Sequence, residues 1–132
     1  MKKIKITLIT TTLLIVSLSC KAQQIQEPNL DSKIIGTWIH NEDNNVKLIF
    51  SSNGKLYHYY DNALTDTYDY WITTECNGRI TTANYDIFLK LTDNEDLDTT
   101  CDLLSAIHTD SNGVTTLSIT SERGKLHLYT KQ

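Results

Sequence analysis

From Ile34 to the end of the chain, apolar and aromatic residues recur at every second position, and short turns rich in Gly, Asn, Asp and Ser interrupt them. No other feature constrains the fold as strongly. Successive side chains of a strand point to opposite faces, so a period of two builds a sheet with one face inside, whereas a helix needs a period near 3.6. Val46, Leu48 and Phe50 alternate with Lys47 and Ile49. After the turn Ser51-Ser52-Asn53-Gly54, Leu56, His58 and Tyr60 alternate with Tyr57 and Tyr59. Tyr68, Tyr70 and Ile72 repeat the step, and Tyr85, Ile87, Leu89 and Leu91 do so most clearly. Cys101, Leu103, Ser105 and Ile107 carry a weaker alternation, and Asp102 to His108 also fits a single helical turn. Asp110-Ser111-Asn112-Gly113 precedes Leu117 and Ile119, and Arg123-Gly124 precedes Leu126, Leu128 and Thr130. With Gly36 to His40 as the first strand, the pattern predicts an all-β domain of seven to eight strands. Consecutive hairpins make it a single antiparallel meander, which hides its edges by closing into a small β-barrel.

The start of the chain is built differently. Lys2, Lys3 and Lys5 precede an uncharged run from Ile6 to Leu18, which ends at Leu18-Ser19-Cys20. A basic start, a short apolar stretch and small residues at its border are the features of a secretory signal, and the run is short for a membrane span. The border cysteine is similar to the lipobox of bacterial lipoproteins, although Ser17 stands where that pattern usually has Leu. The resemblance implies removal of residues 1–19, lipid on Cys20, and anchoring in the cell envelope outside the cytoplasm. Cleavage after Ala22 is the alternative, and it leaves a secreted protein without lipid. Residues 20–33 are polar, hold the only proline, Pro28, and read as a tether to a domain spanning residues 34–132.

Loss of the signal leaves nine basic against sixteen acidic residues, because Lys2, Lys3 and Lys5 depart from a total of twelve. Such an acidic domain is a poor match for nucleic acid or anionic membrane surfaces and is drawn towards basic partners. Cys76 and Cys101 remain, and in an oxidising compartment such a pair reads as a disulfide. A loop of that length stabilises the fold by about 3 kcal/mol on the chain-entropy view. His40, His58, His108 and His127 stand singly, without the paired spacing of a zinc site, so no metal or cofactor is expected. The acidic run from Asp93 to Asp98 lacks the glycine and the closing glutamate of a calcium loop and reads as a hairpin loop. No serine sits in a nucleophile elbow and no phosphate-binding glycine run occurs, so an enzyme is not expected.

Gly36-Thr37-Trp38 on the first strand resembles the opening of lipocalins and of the short lipocalin-like domains in secreted proteins of Bacteroidetes. Leu48 to Lys55, the Tyr-rich strands after it and the closing Leu126 to Lys131 are similar to those domains, so the resemblance spans residues 34–132. It implies that Trp38 plugs the closed end of the barrel with a cation packed on its indole, for which Arg123 is the counterpart in this chain. It also implies a binding module for a small apolar or amphipathic ligand. Tyr57, Tyr59, Tyr68, Tyr70 and Trp71 are the candidate side chains at its mouth, yet alternation forbids all of them from lining one cavity. The alternative function is an envelope interaction protein, an inhibitor or immunity protein facing a basic toxin or lysozyme.

Overall fold

The computed structural model describes residues 29–80 and 87–132. Cys20, the signal and most of the tether lie outside the described residues, as does Tyr85. A short helix, α1 (Leu30–Ile34), precedes ten strands: β1 (Gly36–His40), β2 (Val46–Phe50), β3 (Lys55–Tyr60), β4 (Ala63–Thr73), β5 (Glu75–Cys76), β6 (Arg79–Ile80), β7 (Phe88–Asp93), β8 (Thr99–Thr109), β9 (Thr115–Thr120) and β10 (Leu126–Lys131). Eight of them close a barrel in the order β1-β10-β9-β8-β7-β4-β3-β2, with β5 and β6 as a separate hairpin. Every pairing is antiparallel, and β1 meets β10 through Trp38 opposite Lys131 and His40 opposite Tyr129. The chain therefore forms the all-β barrel that its alternation predicts. One turn was silent in the composition: Asp61 and Asn62 join β3 to β4 with φ of 50° and 63°, the left-handed pair that suits a tight hairpin.

In an up-and-down barrel, alternate connections share an end. The β1–β2, β3–β4, β7–β8 and β9–β10 connections lie at one end; α1 and the β2–β3 and β8–β9 turns lie at the other. The α1 end is the dry one. Ile34 and Trp38 are fully buried there, and Leu30 packs on the same core. The Trp38 indole N–H donates to the Ile34 carbonyl at 2.7 Å, which satisfies the one polar atom of the buried ring. Phe50 meets the Tyr70 ring edge-on at 5.0 Å, and the Tyr70 hydroxyl donates to the Ser51 carbonyl at 3.0 Å. Packing thus begins at Leu30, within the stretch that composition marks as tether.

A cation does cover Trp38, but it is Lys131. Its ammonium lies 5.1 Å from the indole centroid and donates to the Lys33 carbonyl at 2.9 Å. Arg123 is exposed in the β9–β10 turn, at the opposite end of the barrel. The register explains the correction, because Lys131 is paired with Trp38 across β1 and β10 while Arg123 precedes β10 altogether. Gly36 lets that arrangement form. Its φ is +133°, and a Cβ there would stand 2.8 Å from Lys131 Cε.

A second, smaller cluster sits on the outside of the barrel. Cys76 and Cys101 form a disulfide with a Cα separation of 5.9 Å, packed with Phe88 and Leu103. The bridge fastens the β5–β6 hairpin to β8. Arg79 completes the clasp: its guanidinium lies over Phe88 at 5.1 Å and donates to the Cys101 carbonyl at 2.9 Å.

Candidate functional site

Two strands carry their polar residues inward. On β8, Cys101 and Leu103 face the disulfide outside, so Asp102 and Leu104 face inside. A bulge between Leu104 and Ala106 then reverses the phase, which returns Ile107 to the core. The stretch that also fits a helical turn is this bulged strand. On β10 the apparent apolar face is the outer one, with Leu126 54% and Leu128 37% exposed. His127, Tyr129 and Lys131 point inward instead.

The inward residues enclose a cavity of about 170 Å³ in the half of the barrel away from α1. Leu48, Leu56, Leu89, Leu91 and Ile119 form its apolar wall, and His58, Tyr68, Asp102, Ser121, His127 and Tyr129 supply its polar groups. A wider open groove of about 540 Å³ runs on the surface beside α1, past Asp31, Ser32, Ser52, Tyr70 and Trp71.

Asp102 is the centre of the polar side. Its Oδ1 accepts the Glu122 backbone N–H at 3.1 Å. Among the described residues, Oδ2 has no hydrogen-bond partner. Burial raises the carboxyl above its ordinary range, reinforced by the Glu122 carboxylate and opposed by the Glu122 N–H, His127 and Arg79. Glu122 itself is fixed, because its carboxylate accepts the Cys101 N–H at 2.7 Å and meets Arg79 at 3.3 Å. Burial also pushes the Tyr129 hydroxyl up to about 12, with the Asp102 charge adding to it. Tyr68 is raised by burial and by the carboxylates of Asp66, Asp93, Asp96 and Asp102. Among the described residues neither tyrosine hydroxyl has a hydrogen-bond partner.

The histidines have defined roles. His40 Nδ1 accepts the backbone N–H groups of Glu42 and Asp43 at 3.2 Å each, so the proton of the neutral ring sits on Nε2. That nitrogen lies 3.3 Å from His127 Nδ1, which must accept. The neutral His127 ring therefore keeps its own proton on Nε2. Burial holds His127 below its ordinary value, with Lys125 and His40 adding to the effect. His58 is oriented from the other side. The Thr65 hydroxyl donates to the His58 carbonyl at 3.1 Å, so it accepts from His58 Nδ1 at 2.6 Å. Nδ1 also lies 3.5 Å from the Asp66 carboxylate, and in the neutral ring His58 Nε2 is left as an acceptor. Together the cavity offers acceptors at Asp102 and His58, a donor at His127 and three hydroxyls, of Tyr68, Ser121 and Tyr129.

Of the side chains that the sequence singled out, only Tyr68 lines this cavity. Tyr70 is buried nearer α1, where its hydroxyl is already engaged. Tyr57 and Tyr59 face outward, with the Lys47 ammonium 4.8 Å over the Tyr59 ring. Trp71 is half exposed on the outer face beside Lys90. Asp102, His127 and Tyr129 were missed, and β10 held the available signal: a polar and an apolar face whose assignment could be inverted. Among the described residues, no group of three or more His, Cys, Asp or Glu could hold a metal ion. Compared with known protein families, characterised proteins and solved structures, the chain gives no match.

Proposed function

We propose that this chain is an extracytoplasmic binding module, resembling short lipocalin-like domains, that holds a small amphipathic molecule inside its barrel. The observation that carries the reading is the partly open cavity, where apolar walls meet a set of polar groups on one side. Sites for small molecules have that composition, with most of the affinity from burial and the orientation from a few polar atoms. The fold contributes rigidity: apart from Ser121 in the β9–β10 turn, the lining side chains come from strands of a closed barrel.

The location belongs to the same reading. A disulfide is at home in an oxidising compartment, which accords with an N-terminal signal and a lipid on Cys20. Mass spectrometry of the mature N-terminus tests this, with a lipid-bearing Cys20 expected and an unmodified Gln23 start overturning it. For the binding reading, amide NMR spectra are recorded with a panel of small cationic, neutral and anionic amphiphiles. Shifts at residues flanking the cavity, such as Leu89, Asp102 and Ile119, are the expected result. A panel that moves none of them overturns it. One observation favours a second reading: the loops at the cavity end carry Glu42, Asp43, Asp61, Glu95, Asp96 and Glu122. An acidic rim of this kind suits a basic protein partner, and pull-down of a cationic envelope protein that the charge-reversed loops fail to bind would support it.

A further inference from the structure

We propose that the ligand is a small organic cation, a primary amine with a compact apolar body, whose ammonium group is received by Asp102. This rests on the binding-module reading and names the ligand class for the same cavity. The wall sets the body. A cavity near 170 Å³ is comparable to the apolar cavities of about 150 Å³ that accept benzene, so the body has roughly six to ten non-hydrogen atoms. The polar side sets the head group. Asp102 Oδ2 lacks a partner among the described residues, and a half-buried carboxylate on the cavity wall is stabilised by a cation that brings its own N–H donors. His58 Nε2 is an acceptor in the same cavity, so it receives a second ammonium proton.

Two further observations point to positive charge. Tyr68 and Tyr129 line the cavity, and aromatic side chains near a bound ammonium group add to its attraction. The field at this end is negative as well, because Asp66, Asp93, Asp96 and Asp102 all act on Tyr68. Such a mouth raises the local concentration of cations and repels anions. The cations nearby are directed elsewhere. Arg79 is spent on the Cys101 carbonyl and Glu122, and Lys55 on Asp69. Lys125 lies in the exposed β9–β10 turn. An anionic ligand would meet the neutral His127 N–H and the hydroxyls of Tyr68, Ser121 and Tyr129, with no cationic side chain on the lining.

The test titrates the disulfide-bonded protein, near neutral pH, with benzylamine, benzyl alcohol and benzoate, matched in size and differing in charge. Benzylamine should bind at least about tenfold more tightly than benzyl alcohol, and benzoate more weakly than either. Asp102→Asn, checked for folding by circular dichroism, should bring benzylamine down to the level of benzyl alcohol while leaving the alcohol unchanged. Glu75→Gln, on the outer β5–β6 hairpin, should keep the preference within about twofold. Equal binding of amine and alcohol by the unaltered protein, or an unchanged preference in Asp102→Asn, overturns the amine assignment and leaves the binding module standing. No binding by any of the three, repeated with hexylamine, hexanol and hexanoate, overturns both.

Discussion

Removing the disulfide should separate two contributions that the sequence alone cannot divide. The bridge closes a loop with a sequence separation of 25, for which the chain-entropy relation gives about 3.5 kcal/mol. Its sulfurs are also buried, Cys76 at 2% and Cys101 at 1% exposure, against Phe88 and Leu103. Replacing both by alanine therefore adds a packing loss, and the total should reach about 4 to 5 kcal/mol. For a domain of this size that lowers the melting temperature by roughly 15 to 30 °C. Urea unfolding followed by tryptophan fluorescence measures it, because Trp38 passes from full burial to water. Reductant added to the unaltered protein should reproduce most of the loss, and none should appear when it is added to Cys76→Ala/Cys101→Ala. The site should feel the change too. Cys101 neighbours Asp102, and its N–H anchors the Glu122 carboxylate whose own backbone N–H holds Asp102. Weaker ligand binding is expected on reduction. A loss under about 1 kcal/mol, with mass spectrometry reporting free thiols, would show that the hairpin detaches locally and that the loop-closure argument does not apply.

Trp38→Ala should cost about 3 to 5 kcal/mol by urea unfolding. Trp38→Phe should retain most of the packing and lose about 1 to 3 kcal/mol, because the Ile34 carbonyl keeps no donor. Lys131→Met should cost about 0.5 to 2 kcal/mol through the lost cation over the indole, whereas Arg123→Met should stay within about 0.5 kcal/mol in the same assay. Gly36→Ala should be destabilised by about 1 to 3 kcal/mol, chiefly through the left-handed backbone, since the crowding atom is the yielding end of Lys131. The Asp102 carboxyl is raised in the folded state, so the stability it contributes is present below its ordinary value of 3.8 and lost as pH rises through the raised one. Asp102→Asn should therefore be more stable than the unaltered protein at neutral pH, with the difference vanishing in acid. His127 is depressed, so its own contribution is present above the ordinary histidine value and lost as pH falls through the lowered one. His127→Asn should flatten that part of the acid limb of a stability-against-pH curve.

The alternation was sufficient to read the barrel because strand pairing needs only the period and the turns. Assigning the interior needs the phase, and two strands hide it. On β8 the bulge inserts one residue at Leu104–Ala106, so no single alternation runs from Cys101 to Ile107. The outward Cys101 and Leu103 are apolar because the disulfide hairpin covers them, a tertiary contact that local sequence does not announce. On β10 the inversion is chemical. Lys131 lays its stem along Trp38, and His127 and Tyr129 sit in a cavity that is polar on one side. A hydrophobicity pattern picks the more apolar face, which here is Leu126 and Leu128 on the outside. The lysine over the tryptophan was legible as a role but not as a residue, because only the β1–β10 register brings position 131 to position 38.

Two aspartates of this chain show what the barrel interior does differently from its surface. Asp69 accepts the Lys55 ammonium at 2.7 Å and the Asn94 amide at 2.8 Å, and those partners hold its carboxyl below the ordinary range. Asp102 has one backbone N–H, no salt bridge among the described residues, and a carboxyl shifted the other way. An apolar residue of similar size would face Leu89 across the sheet without that penalty, as its neighbours Leu91 and Ile119 do on the same wall. Arg79 lies near enough to lower the Asp102 carboxyl, yet its guanidinium is held outside by the Cys101 carbonyl, Glu122 and the Phe88 ring. The fold thus keeps its nearest fixed cation out of the cavity and leaves the carboxylate facing it. A positively charged guest of the kind proposed would supply a counter-charge there.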